Sequence, residues 1–365
     1  MDLSSHPQDK AVAVRSGRIR LQALAEILPN RWFTGAIFAF FLATWVCALV
    51  IEVSFLPFLA EYGERLLRSL VLIASIATIG LALKALADSG QRSVAETLVD
   101  TARSAAGSRF LIRYLSASLV LTVFMAAFLF NKMQIPRLGG FRWDEAFAEL
   151  DYRLFGEHPW IILQPLLGYP IVTAILDLLY AAWALLVFLF WGGLFASRRV
   201  DDALCYRFWI ATVAAWILLG LVMATGLGSA GPTYFDEIVP QVASPYAELE
   251  RYLAAAGRHY TLMSSFTKEY LWAIHSGDLV APGGISAMPS MHNAQATLYA
   301  AAAYAINRRF GHVMLAYAVA IFLGSIHLGW HYAVDGIIGA LGALLIWVVA
   351  GVLLRRRAAM STLPV

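Results

Sequence analysis

The stretch IIGALGALLIWVVAGVLL, Ile337 to Leu354, contains no charged side chain and is closed by Arg355, Arg356 and Arg357. A helix crosses the apolar part of a bilayer in about 20 residues, so this stretch reads as a membrane span. Comparable runs extend from Ala36 to Val50 and from Leu111 to Phe130. Working outward from them, eight candidate spans emerge: 34–58, 66–87, 110–130, 170–196, 205–227, 289–306, 312–328 and 332–354. The runs are too long for barrel strands and do not alternate in polarity. Composition agrees. Hydrophobic residues make up 60% of the 365 residues and charged residues 14%, against about 25% charge in an ordinary soluble domain. The mean hydropathy is +0.68. A soluble enzyme, a disordered chain and a fibrous protein are all excluded. The expectation is an all-α, polytopic transmembrane helix bundle of about eight spans.

The net charge of +3 is small and dispersed, which gives no reason to expect a nucleic-acid partner. Eight spans place both termini on one side, and 18 of the 27 Lys and Arg residues fall on that side. By the positive-inside rule it is the cytoplasm, so the expectation is an inner (plasma) membrane protein with cytoplasmic termini. The polar N-terminus lacks the pattern of a cleaved signal peptide. The connections 131–169 and 228–288 are long and lie on the outer side. Trp143, Phe147, Leu150, Phe155, Trp160, Tyr246, Leu253 and Trp272 recur in them at roughly helical spacing, as in helices lying in the outer interface. They equally fit a simple structural cap. The segment 92–108 reads as a solvated or interfacial cytoplasmic helix without chemistry. Cys47 and Cys205 read as small, unpaired core residues. Two regions are expected: an N-terminal membrane region, 1–200, and a catalytic core, 201–365.

The chemistry-bearing residues sit near the outer ends of the last three spans. In Met288-Pro289-Ser290-Met291-His292-Asn293, Pro and Ser mark a helix start. Ser290 suits the cap, and the free N–H groups behind it suit an anion within reach of His292. His331 and Asp335 stand one helical turn apart, where the carboxylate orients the imidazole and stabilises its cation. These residues also fit plainer roles, a capping Ser beside an interfacial His and a structural His–Asp pair. A metal reading uses His327, His331 and Asp335 on one face, but Gly329 argues for a bend that separates His327 from the others. Topology brings all three elements to the outer face. Two histidines and an aspartate beside a helix start suit phosphoryl transfer through a phosphohistidine.

The spacing resembles the type 2 phosphatidic acid phosphatase superfamily over about residues 228–354. Its Pro-Ser-Gly-His motif is matched by Pro289-Ser290-Met291-His292, and its His-x3-Asp by His331 and Asp335. The resemblance implies that His331 is the nucleophile, that Asp335 orients it, and that His292 protonates the leaving group. No metal or cofactor is implied. The family's Ser-Arg falls on Gly324-Ser325, and the chain has no Arg-Pro dipeptide, so the usual cationic clamp is missing. A phosphomonoester carries about −1.5 to −2 and a phosphodiester one charge, so the loss points to a diester substrate. That is similar to the inositol phosphorylceramide synthase and sphingomyelin synthase branch. Gly231-Pro232-Thr233-Tyr234 and the stretch from Trp143-Asp144 to Trp160 resemble the same branch. Ser290, His327, Tyr234, Ser325, Lys268 and Arg258 are the candidate substrate-binding residues, with Arg251 a further outer cation. Asp177 and Tyr180 read as a buried pair for interhelical hydrogen bonding. The function expected is a phospho-head-group transferase acting on membrane lipids at the outer side. The alternatives are a lipid phosphate phosphatase and a non-catalytic lipid-binding or transport protein.

Overall fold

The computed structural model describes residues 29–87, 100, 104–197 and 199–361, and all regular structure among them is helical. The polar N-terminus and most of 92–108 lie outside the described residues. Eight helices overlap the eight expected spans: α1 (Arg31–Val50), α2 (Leu56–Ala87), α3 (Ala105–Gly139), α6 (Pro170–Ala196), α7 (Asp202–Ile217), α10 (Met291–Ile306), α11 (Arg308–His327) and α12 (Ala333–Ser361). Their starts follow local chemistry. Asn30, Ser104, Asp201, Ser290 and Asn307 each accept a hydrogen bond from a first-turn N–H, satisfying a donor the helix leaves open. α7 continues through a π-helical stretch, Leu218–Met223, to Gly226. Six helices among the described residues are long and apolar enough to cross a membrane. Leu56–Ala87 and Met291–Ile306 are not among them, the latter having only 16 residues. The chain is an integral membrane protein.

Three boundaries differ most from expectation. α1 stops at Val50, α2 starts already at Leu56, and α3 runs on to Gly139, past residue 130 where its apolar run ends. Pro136 lies inside this extension and removes one helical donor. Gly140, at φ +65°, ends the helix.

The middle of the bundle is aromatic. Trp191 and Trp209 stack with ring centroids 5.0 Å apart, and Phe128 meets Trp216 edge-on at 4.6 Å. Each indole N–H finds an acceptor: Trp191 donates to Ala117 O, Trp209 to Trp191 O and Trp216 to Gln295 Oε1. Large apolar side chains such as Leu49, Leu67, Ile76, Val313, Leu341 and Leu345 stay exposed on the outside, as lipid-facing positions do. Cys205 is buried, but Cys47 is exposed on this outer surface; the two are not bonded.

The long connections hold four helices of nine residues or more: α4 (Asp144–Phe155), α5 (Pro159–Leu167), α8 (Ala247–Gly257) and α9 (Met263–Ser276). α4 is not turned as its apolar spacing suggests. Phe147 is buried, but it shares that face with Asp144 and Asp151, while Leu150, Leu154 and Phe155 are exposed. The reason is backbone demand, since the face turned inward meets unsatisfied N–H groups that need acceptors. Asp177 and Tyr180 do not pair. Asp177 accepts from the N–H of Met263 and Ser264 at 2.6 and 2.9 Å and so caps α9.

Candidate active site

α10 and α12 start side by side. The N–H of Ser290 donates to Asp335 O at 3.0 Å, and a methyl group at Gly339 would collide with the Ser290 carbonyl. Glycine there lets the two backbones meet. Asn293 ties the junction to α11 by donating to Ser290 Oγ at 3.0 Å and to Ser325 Oγ at 3.2 Å. Ser325 donates in turn to Phe322 O. It is fully buried, so the Arg that the family pattern has there would displace Asn293. At the end of α11 the chain reverses through Gly329 (φ +74°), and Ser325 O accepts from the N–H of both Trp330 and His331.

This reversal delivers His331 to Asp335. His331 Nδ1 lies 3.3 Å from Asp335 Oδ2, which also accepts from the Tyr332 N–H at 3.1 Å. A carboxylate only accepts, so the imidazole proton belongs on Nδ1 and the lone pair on Nε2. Asp335 is fully buried and His331 is 6% exposed. Burial, reinforced by the charge of Lys132, pushes the His331 imidazole down to about 3, against the carbonyl of Ala287 beside it, which favours its protonated form. A neutral ring is what a nucleophile requires. The ring of His292 lies 6.0 Å from that of His331, centroid to centroid. It is held between Tyr180 at 4.2 Å and Trp183 at 4.3 Å.

Two carboxylates from α4 set the frame. Asp144 accepts from Ser229 Oγ, the N–H of Ala230 and Gly231, and Tyr332 Oη, all at about 2.9 Å. Asp151 accepts from the N–H of Ala333 and Val334 at 2.7 and 3.0 Å, capping the start of α12 from another element. Burial raises both carboxyls, Asp151 to about 6. Sequence reasoning passed over this pair. The available signal was two acids spaced i, i+7 on a helix face that also carries Phe147.

The other expected residues divide. Ser290 and Ser325 are part of the junction. His327 is fully buried, and its Nε2 lies 2.9 Å from Thr173 Oγ1, which itself pairs with Tyr252 Oη. Tyr234 donates to Lys268 O and stacks on Trp272. Lys268 is ion-paired with Glu250 at 2.9 Å, and Arg258 is exposed at the end of α8. The metal alternative does not converge, since among the described residues no three His, Cys, Asp or Glu side chains gather as a ligand set.

The family model of the PAP2 superfamily matches residues 145–349, more than half of the chain. The chain belongs to the PAP2 superfamily. Neither a curated protein nor a solved structure matches it. The PAP2 match contains His292, His331, Asp335 and Asp151, whereas Asp144 lies just before it and Lys132 further outside. Membership supports enzymatic activity of the phosphatase and phosphotransferase kind, at the level of the superfamily.

Proposed function

We propose that this PAP2 protein is a lipid phosphotransferase. It moves a phospho-head group from a phosphodiester lipid to a lipid hydroxyl, in the manner of the inositol phosphorylceramide synthase branch that it resembles. The observation that carries the reading is the His331–Asp335 pair at 3.3 Å with the His292 ring 6.0 Å away. In the first step Nε2 of His331 attacks phosphorus, the bond from phosphorus to the leaving oxygen breaks, and His292 gives that oxygen a proton. In the second step the acceptor hydroxyl attacks phosphorus and the P–N bond breaks. The hydroxyl proton passes to His292, restoring both residues. Asp335 holds the tautomer and stabilises the positive charge on the ring.

Diester preference is supported by Gly324 and Ser325 standing where phosphatases of the family carry Ser-Arg. The excess of basic residues at the opposite end of the bundle supports cytoplasmic termini and a site on the outer side. The test is to incubate the purified protein with labelled phosphodiester lipid and a lipid alcohol. Head-group transfer and an acid-labile phospho-enzyme on His331 are expected. Rapid release of inorganic phosphate from phosphatidic acid, with no transfer from any diester, would instead make the protein a phosphatase.

A further inference from the structure

A phosphoryl group at His331 brings negative charge next to Asp335, so catalysis requires a cation facing it. The expected outer cations are spent or remote. Lys268 is paired with Glu250 and Arg251 with Glu248, and Arg258 is exposed at a helix end. Lys132 stands apart from them. It lies on the extension of α3 beyond the apolar run, in a partly buried position. A Cβ added to Gly284 would lie 3.4 Å from the Lys132 carbonyl carbon and 3.1 Å from Met133 Cα. Gly284 opens the segment that leads through Ala287, whose carbonyl adjoins the His331 ring, to Ser290. The outer end of α3 is also pinned to the site, because the N–H groups of Arg142 and Trp143 both donate to Gly228 O. Asp144 then holds the next residues, Ser229 to Gly231.

Among the described residues Lys132 has no hydrogen-bond or ion-pair partner. Its charge reaches the rings of both His331 and His292. Arg65 on α2, whose charge also reaches Lys132, is no relief: it is a like charge and is itself bonded to Glu61. A partly buried ammonium whose charge acts on two imidazoles and a guanidinium, and which has no counter-charge of its own among the described residues, is costly unless an anion completes the arrangement.

We propose that Lys132 is the cation that receives the phosphate of the lipid substrate, delivered by a helix that lies before the family match. The proposal rests on the reading of His331 as nucleophile. One unpaired ammonium balances the single charge of a phosphodiester and undersupplies a monoester, which carries about −1.5 to −2. The missing clamp is thus replaced from a different element and by a smaller charge.

The test uses the full-length protein in detergent with short-chain phosphatidylinositol as donor. Lys132→Met should lower kcat/KM for transfer by about 100-fold or more, and Lys132→Arg should recover most of it. Independently of turnover, diethyl phosphate, a soluble phosphodiester anion, should slow amine-reagent labelling of wild-type Lys132, read by mass spectrometry. Full transfer activity in Lys132→Met overturns the proposal and leaves the His331 reading standing. Unchanged labelling overturns it as well, whatever the variants do. A wild-type protein without turnover removes the His331 reading instead, and protection of Lys132 then still marks an anion site.

Discussion

The middle of the bundle and the end that carries His331 are both buried, yet they are held by different physics. In the middle, Trp191, Trp209, Phe208 and Tyr299 pack as aromatic surface, and the indole N–H groups of Trp191 and Trp209 each find a backbone acceptor. At the end that carries His331, Asp144 and Asp151 are buried carboxylates that hold backbone N–H groups of other segments, and the buried Asp335 holds the N–H of Tyr332 beside it. Dispersion is additive and tolerant of shape change. A buried acceptor with several donors is directional, and its loss strands every donor at once. The contrast teaches that this protein concentrates its fragility where the chemistry is proposed to occur.

Substitutions can break or sharpen that contrast. The largest effect is expected at His331→Ala, which should abolish turnover and the phospho-enzyme. Asp335→Asn should follow with a loss of about 10⁴-fold in kcat as tautomer control and charge stabilisation disappear. Next comes Asp151→Ala. It leaves the Ala333 and Val334 N–H groups without their acceptor and lets the start of α12 shift. A displacement of about 1 Å there costs roughly 100-fold in kcat, with KM little changed, measured by lipid transfer. His292→Ala should cost less on a substrate with a good leaving group than on a natural alcohol, because a good leaving group needs no proton. Equal losses on both would place His292 in a purely structural role between Tyr180 and Trp183.

The pH profile sharpens the comparison further. Asp335 lies 3.3 Å from His331, the His292 ring lies 6.0 Å from its ring, and the charge of Lys132 reaches the imidazole, which sits at about 3. The reactive form is the neutral ring. As pH falls through the ordinary imidazole value of about 6.5, the His331 lone pair should therefore stay available, and be lost only nearer 3. Removing the Lys132 charge should move this acid limb upward. An unshifted limb near 6.5 in the wild type would contradict the buried geometry of His331. The smallest effect belongs to the middle of the bundle. Phe208→Leu should lower stability by about 1.5 kcal/mol or less and leave kcat unchanged, checked by thermal unfolding alongside the transfer assay.

What the sequence by itself determined is what short-range pattern encodes. Apolar runs marked the long helices, Ser290 marked the start of α10, and the i, i+4 spacing of His331 and Asp335 announced their contact. Each of these lies within a few residues of chain, where helix geometry alone decides who meets whom. Runs of hydropathy located α3 but not its end. The helix continues past the apolar stretch to Gly139, and Lys132 rides on that extension. Only the tertiary structure decided the rest. Asp144 bonds Ser229 across 85 residues and Tyr332 across 188, and no local periodicity carries such a pairing. The same holds for His327 turned to Thr173, for Lys268 neutralised by Glu250, and for Tyr180 stacked on His292 instead of bonded to Asp177. A charged side chain has the same letter in the sequence whether it is paired or free. Whether a cation is paired is settled by the partners that folding brings to it, and that is why Lys132, without one among the described residues, becomes visible only beside Lys268 and Arg65, which have found theirs.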